Sequence, residues 1–400
     1  MANELQLPRG FQAAGVYCGI KSDPQALDLS LFVSDLPASA AGVFTMNRVC
    51  GAPVIVSRQR VPSSMARAVL INSGNANACT GTQGVADAEA STAAIASSLG
   101  CVEQDVLVCS TGVIGHHLPM PKLLSGIEPL VSGLEATPAG LERAARGMMT
   151  TDTVPKMAHR TLTYGKDAVH LTGAAKGAAM IAPNMATMLS VVMTDAKLLP
   201  QHADRLLRDA VDLSFNRISV DGHTSTSDTV LFLANGASGI ELTPDMEHWQ
   251  PFQAALRALC HELASAIIRD AEGASHFITV RVKGLKTEAD ALTIARTIAN
   301  SALVKTAIAG ADPNWGRIVS AAGYAGIPWD EERLRLTIQG TEVFRDGGPT
   351  PHDAAALSQR MRADRDIFLE LTFEEGDASA DMLTSDLTTE YVRLNAEYTT

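Results

Sequence analysis

Lys176-Gly-Ala-Ala-Met-Ile-Ala-Pro-Asn-Met-Ala-Thr-Met-Leu189 sets Thr187 directly behind the small residue Ala186 in the middle of a 400-residue chain. If the chain cuts itself between these two residues, Thr187 becomes an N-terminal nucleophile. A threonine hydroxyl is a poor nucleophile at neutral pH, but a freed α-amine on the same residue, with a reference pKa of about 7.7–8, can act as its general base. One scission creates both groups. The plainer reading of the same letters is a Gly/Ala/Met turn leading into a buried strand over residues 188–193, and pattern alone favours it.

Outward from this stretch, strands and helices interleave without repeats, low-complexity tracts or a Pro/Ser-rich linker. On the N-terminal side, alternation at Leu27, Leu29, Leu31 and Val33 predicts a half-buried strand, and residues 68–71 and 106–109 predict short buried strands ending in polar turns. The Ala/Ser-rich run 87–99 reads as helix, and Thr137-Pro138 supplies a cap and a first-turn proline for a helix running toward Met148. On the C-terminal side the pattern predicts a helix near 201–213 and a strand over 229–234. A long amphipathic helix follows, with Leu256, Leu259, Leu263 and Ile267 on one face and Gly273 ending it. Alternation at Ile278, Val280 and Val282, a helix over 288–301, and a strand carrying Ile367, Leu369, Leu371 and Phe373 complete the series. Without regular βαβ units, these elements predict layered α/β architecture with mixed sheets rather than a doubly wound fold.

The composition suits such layers: 46% hydrophobic, 19% charged and only 4% aromatic, enough apolar material for two sizeable cores. No uncharged apolar run is long enough to span a bilayer. The first eight residues lack the basic and apolar regions of a secretory signal, so the expected location is the cytoplasm. Acidic residues outnumber basic ones by 44 − 32 = 12, which argues against a nucleic-acid partner. The six cysteines, Cys18, Cys50, Cys79, Cys101, Cys109 and Cys260, are scattered and read as reduced core residues; with no Cys-x-x-Cys and no paired histidines at ligand spacing, no metal is expected. His116 and His117 are adjacent, so their side chains diverge.

Phosphate loops of the Walker A or Gly-x-Gly-x-x-Gly type are missing despite 31 glycines, and no Gly-x-Ser-x-Gly elbow stands out. Thr187 is therefore the best nucleophile in the chain. Acyl transfer through it needs oxyanion donors, and Ser110-Thr111-Gly112 follows a predicted buried strand where a hydroxyl and a backbone N–H can face a cleft. A plain strand-to-loop turn accounts for Thr and Gly there equally well. Lys176, eleven residues before Thr187 among small residues, is placed to let a long cation reach a substrate carboxylate.

Seven blocks, in order, resemble the ornithine acetyltransferase (glutamate N-acetyltransferase) family. The central one is Lys176-Gly177, Met180-Ile181 and Pro183-Asn-Met-Ala-Thr-Met-Leu189, similar to that family's self-cleavage motif. The others are Ile71-Asn-Ser-Gly-Asn-Ala-Asn-Ala78, Ser110-Thr-Gly-Val-Ile-Gly115, Thr151-Asp-Thr153, Ser214-Phe-Asn-Arg-Ile-Ser-Val-Asp221, Asp228-Thr229 and Gly310-Ala-Asp-Pro-Asn-Trp-Gly-Arg317. Departures occur at Ala178-Ala179 for the usual Ser-Gly, His223 for Asp, Ser227 for Asn, and Asp270-Ala-Glu-Gly273 for Asp-Gly-Glu-Gly. They bear on substrate choice.

The resemblance implies an αββα-type sandwich of the N-terminal-nucleophile kind, cut into fragments 1–186 and 187–400, with Thr187 opening an inner strand. It implies catalytic roles for Thr187 and for Thr111 and Gly112 as oxyanion donors. Thr153, Lys176, Thr187, Glu272, Asn395 and Thr400 would contact substrate. From residue type alone, Glu272 reads as a surface carboxylate near a helix end, and Asn395 and Thr400 as a frayed terminus. The implied reaction moves an acetyl group from N2-acetylornithine to glutamate without a cofactor, in a heterotetramer of two copies of each fragment; use of acetyl-CoA as a second donor stays open. So do a self-cleaving aminopeptidase that passes the acyl group to water, a paralogue acetylating another amine, and an uncleaved, non-catalytic binding protein.

Overall fold

The computed structural model describes residues 5–182 and 188–397. Ala186, Thr187 and Thr400 lie outside the described residues. The chain divides into two compact units, one drawn from the chain up to Asn216 and from Thr224–Ile267, the other from Arg217–His223 and the chain from Ile268 on.

In the first unit, β1 (Phe11–Val16), β2 (Leu29–Phe44), β3 (Ser63–Asn75), β4 (Val106–Val113), β5 (Lys156–Tyr164), β6 (Asp167–Lys176) and β7 (Leu189–Thr194) share one mixed sheet with β9 (Thr229–Ala234). The short β8 (Ile218–Ser219) belongs to the second unit. The order is β4-β3-β2-β9-β7-β6-β5, with β1 paired to β2. Neighbours are antiparallel except the parallel pairs β3–β4 and β7–β9.

The long β2 turns this single sheet into two layers. Residues 29–33 pair with β3 in register, the pairing resumes only at Ala38 and Ala40, and residues 39–44 pair with β9, while Asp35, Leu36 and Pro37 are exposed where the register breaks. Proline lacks the ladder donor, so it sits where pairing is interrupted. One buried cluster then draws Phe32, Val69, Ile71 and Leu107 from the first half and Leu189, Val191, Met193, Leu231 and Leu233 from the second, so the halves face each other. The outer side of the first half, with Leu31, Val33, Leu70 and Val106, packs on Ile95 and Ala96 of the helix Gly81–Leu99. On the outer side of the second half, Gly173 of β6 lets the helix Trp249–Arg269 close in: a Cβ there would lie 2.8 Å from Leu263 and 3.0 Å from Leu259. The layers therefore run helix, sheet, sheet, helix.

The second unit holds a seven-stranded sheet among the described residues, adding β10 (Phe277–Leu285), β11 (Arg335–Ile338), β12 (Thr341–Arg345), β13 (Gly348–Pro349), β14 (Asp366–Thr372) and β15 (Ala378–Ser385) in the order β13-β12-β11-β14-β10-β15-β8. Its core joins Val280, Val282, Leu369 and Met382 to Ile294 and Ile298 of the helix Glu288–Ala299.

Several expectations need correction. The stretch beginning at Leu29 is buried at every position to Ser34, not half-buried, because layers cover both faces; Ser30 fits by donating its hydroxyl to Ala144 O at 2.7 Å. Of the six cysteines only Cys109 and Cys260 are buried, and Cys79 is exposed. The amphipathic helix stops at Arg269, before Gly273. Gly273 instead adopts φ +64, where a Cβ would fall 2.4 Å from Tyr391 N, so it lets the C-terminal helix Thr389–Glu397 dock. The fragment boundary expected between residues 186 and 187 lies outside the described residues; β6 and β7, on either side of it in the chain, pair over residues 171–176 and 189–194 within the first unit.

Candidate functional site

The start of β7 is fixed from three sides within the first unit. Lys176, the last residue of β6, lies opposite Leu189; Leu189 pairs with Thr229 of β9, and Thr229 with Phe44 of β2. Thr229 N donates to Met188 O at 3.1 Å, and Met188 N donates to Asp228 Oδ1 at 3.2 Å. The residue that follows Thr187 in the chain is thus tied down by both its backbone groups.

The turn carrying Thr111 and Gly112 comes from the end of β4, where Gly74↔Gly112 and Asn75↔Thr111 pair across a register irregularity. Gly112 has φ +130 and so near an approach that a Cβ would fall 2.3 Å from Gly74 C; only glycine fits. The block 71–78 supports this turn from behind. Asn72 Nδ2 donates to Asn75 O (2.8 Å), Ala76 N donates to Val113 O (2.9 Å), and Asn75 Nδ2 reaches the carbonyls of His116 and His117 (3.1 Å each). Thr111 is buried near the end of β4. Two residues earlier, the Cys109 thiol meets Thr229 at the head of β9; burial pushes that thiol up to about 12. The strand that carries Thr111 and the start of β7 therefore share Thr229 as a neighbour.

Lys176 is almost wholly buried. Its Nζ donates to Thr150 Oγ1 at 2.8 Å and lies 3.8 Å from Asp152 Oδ2, while Lys156 Nζ sits 2.6 Å from Asp152 Oδ1 and Gly177 N donates to the same oxygen at 2.7 Å. Burial works to raise the Asp152 carboxyl, but the Lys176 and Lys156 cations and the Gly177 amide outweigh it and hold the group at about 2. Thr153, next in the chain, is exposed in the turn before β5. Asp152→Asn would remove the carboxylate that two buried lysines face, a broken buried pair that costs about 3–5 kcal/mol; urea unfolding should report that loss, and a loss below about 1 kcal/mol would show the pair to be dispensable. Because the folded pKa is depressed, this contribution is present above the unfolded carboxylate range and disappears as pH falls toward 2.

Two residues of this region had no assigned role in the sequence. Lys21 donates to Leu27 O (2.6 Å) and Met149 O (2.7 Å), and its stem lies against Gly74, the residue paired with Gly112. Burial, joined by Lys176, pulls its amine down to about 8 against the opposing carboxylates Asp28 and Asp152. No local pattern marks it. Asp228 stood in a quoted block, but nothing in a lone Asp-Thr pair shows that it is fully buried beside Met188.

In the second unit, Asn395 Nδ2 donates to Glu272 Oε2 at 2.9 Å, bringing together two of the expected substrate contacts. The helix bearing Asn395 is held by Thr388 Oγ1 on Gly273 O (2.6 Å) and Tyr391 Oη on Asp221 Oδ2 (3.2 Å), so this part of the terminus is ordered helix rather than a frayed tail. Among the described residues no group of three or more His, Cys, Asp or Glu could hold a metal ion, and no helix is long and apolar enough to cross a membrane.

The model of the ArgJ family matches residues 12–400. The chain is 45% identical over 396 residues to the arginine biosynthesis bifunctional protein ArgJ of Rhodopirellula baltica, covering 98% of this chain and 96% of that one. It is 45% identical over 393 residues to the protein of the same name from Geobacter sulfurreducens, covering 98% and 99%. Among solved structures, the arginine biosynthesis bifunctional protein from Bacillus halodurans superposes with a TM-score of 0.52 at 38% identity, over 53% of this chain and 100% of that chain.

Proposed function

Since the chain belongs to the ArgJ family, an acetyltransferase family of arginine biosynthesis, we propose that it moves the acetyl group of N2-acetylornithine to glutamate through an acetyl-threonine intermediate on Thr187. The observation that carries this reading is the convergence, in one unit, of the Thr111–Gly112 turn, the buried Lys176 and the anchored start of β7 immediately after residue 187.

The cycle begins with Thr187 Oγ attacking the Ala186 carbonyl. The acyl group shifts from nitrogen to oxygen, and hydrolysis of the ester leaves fragments 1–186 and 187–400. The β6–β7 ladder spans the cut and keeps the fragments together. The solved Bacillus halodurans chain corresponds to 53% of this one, a share near that of either fragment, which supports a two-fragment mature form. The freed amine of Thr187 then takes the hydroxyl proton as Oγ attacks the acetyl carbonyl of acetylornithine, Thr111 and Gly112 hold the oxyanion, and ornithine leaves with the proton. Glutamate enters, its α-amine takes the acetyl group, and N-acetylglutamate departs.

Lys176 supplies the cation for a substrate carboxylate. The donor carries a side-chain ammonium and the acceptor a carboxylate, so neutral contacts such as Thr153, Asn395 and Thr400 suit both substrates better than one fixed charge, with Glu272 as a further substrate contact. The word bifunctional in the relatives' names supports acetyl-CoA as a second donor to glutamate. Assembly as two copies of each fragment and a cytoplasmic location complete the reading.

Initial-rate kinetics with acetylornithine and glutamate test it: parallel double-reciprocal lines are expected from one nucleophile serving donor and acceptor in turn. Intersecting lines would require direct transfer. Replacing acetylornithine with acetyl-CoA in the same assay decides the second donor. Deleting residues 395–400 should leave scission intact and raise KM for acetylornithine and glutamate alike, as when binding common to ground and transition states is removed; wild-type KM values would take Asn395 and Thr400 out of the site.

A further inference from the structure

Lys21 is a half-buried cation that the reaction described so far does not use. Its place is set by Asp28, a buried carboxylate that accepts the amides of Cys18 (2.7 Å), Gly19 (3.1 Å), Ile20 (2.7 Å) and Lys21 itself (3.0 Å), folding residues 18–21 around one anion. The Asp28 carbonyl accepts Ser73 N at 2.9 Å, one residue before Gly74. The Lys21 stem passes Gly74 so closely that a Cβ there would lie 3.0 Å from Lys21 Cγ, and Gly74 is paired with Gly112.

The ammonium end reaches a different stretch of chain. Nζ donates to Leu27 O at 2.6 Å and to Met149 O at 2.7 Å. The next residue, Thr150, accepts Lys176 Nζ on its hydroxyl at 2.8 Å, and Thr150 N donates at 3.1 Å to Asp152 Oδ2, the oxygen 3.8 Å from Lys176 Nζ. Through the Met149 carbonyl, Lys21 therefore grips the segment that holds the Lys176 ammonium. Hydrogen bonds from a charged donor are roughly twice as strong as neutral ones, so the grip is firmest while Lys21 carries its proton.

We propose that Lys21 is a positioning residue for Lys176, fixing residues 149 and 150 so that the Lys176 ammonium stands where it meets a substrate carboxylate. The inference rests on the acetyl-transfer reading, in which Lys176 supplies that cation. The charged groups acting on the Lys21 amine are Asp28, Lys176, Asp152 and Asp23; burial is the largest influence and brings the amine down to about 8. Lys176 pushes the same way, so the two cations oppose each other. A carboxylate taken up at Lys176 offsets that repulsion and raises the Lys21 amine, so substrate and the Lys21 proton favour each other's binding. Affinity is then level with pH below about 8 and falls above it, where the free protein has lost the proton that the bound form holds.

The experiment measures acetylation of the enzyme by acetylornithine in a single turnover, read as ornithine released. Lys21→Met keeps an unbranched stem beside Gly74 but has no donor and no charge. The acetylornithine concentration giving half the maximal rate should rise about tenfold, while the maximal rate stays within about twofold. In the wild type that concentration should climb above about pH 8. Lys21→Met should lack the climb, and so should Lys21→Arg, whose guanidinium keeps its charge and should restore the affinity at least in part.

A Lys21→Met protein with wild-type values would overturn the role, as would one that loses maximal rate while the half-maximal concentration holds. A wild type without the alkaline climb, or a climb retained in Lys21→Met, would contradict it equally. If Lys21→Met lowers Tm markedly, Lys21→Arg decides: affinity regained without the climb upholds the role, and a persisting climb overturns it. If the wild-type protein releases no ornithine from acetylornithine, the acetyl-transfer reading itself fails, a result distinct from an active wild type with an unaffected variant.

Discussion

Thr187→Ala protein should persist as one 42.2 kDa chain and lose acetyl transfer by at least about 10⁴-fold. Removing the hydroxyl removes the group that attacks Ala186 and, with the same change, the group that carries the acetyl. The two losses are inseparable because one scission both exposes the amine and creates the catalyst. Thr187→Ser retains a hydroxyl and should still be cut at least in part. A gel of the purified variants, with an acetylornithine–glutamate assay on each, checks both outcomes. A Thr187→Ala chain that is uncut yet active would assign the chemistry to another residue.

The second large effect belongs to the oxyanion turn. Thr111→Ala should lower kcat by about a hundredfold, on the order of 3 kcal/mol of transition-state stabilisation, with KM little changed. Thr111 is buried at the end of β4, and the change to Ala removes only its hydroxyl and one methyl group, so a loss confined to kcat would report the proposed donor rather than the fold. Gly112→Ala is a poorer probe: with φ at +130 and the Gly74 carbonyl carbon 2.3 Å from the new Cβ, it would reshape the turn and disturb fold and chemistry together. An unchanged kcat for Thr111→Ala would reduce Thr111 to turn geometry.

Much of this was legible where local rules govern. Thr137 caps the helix Pro138–Met148 through Gly140 N, and the strand Thr229–Ala234 falls where its β-branched and apolar run predicts. The long β2 was not legible past Val33. Asp35-Leu36-Pro37 has the look of a strand end, and only pairing of residues 39–44 with β9 carries the chain on as the same strand in a second layer. Residues 68–71 and 106–109 were likewise recognised only as the buried middle of β3 and the buried first half of β4.

The site divides along the same line. Thr111 and Gly112 follow a predicted strand, where residue type and position are informative together, whereas the strand that ends at Lys176 was not predicted. The Asp152–Lys156 pair, Lys21 and Asp228 acquire their properties from burial and from neighbours distant in the chain. Asp152, for example, is a carboxylate only because two lysines and the Gly177 amide meet it out of water. Gly273 was noticed as a helix stop, yet its function is to admit Tyr391, 118 residues later (391 − 273).

The central claim is that Thr187 is both the point of self-cleavage and the residue that carries the acetyl group. Mass measurement of the purified wild-type protein before and after incubation with acetylornithine alone tests it most directly. Two fragments split between Ala186 and Thr187 are expected, with one acetyl group gained by the 187–400 fragment and localised to its first residue. A folded, active protein that remains a single uncut chain, or a cut one in which the acetyl group resides on any other residue, would contradict it.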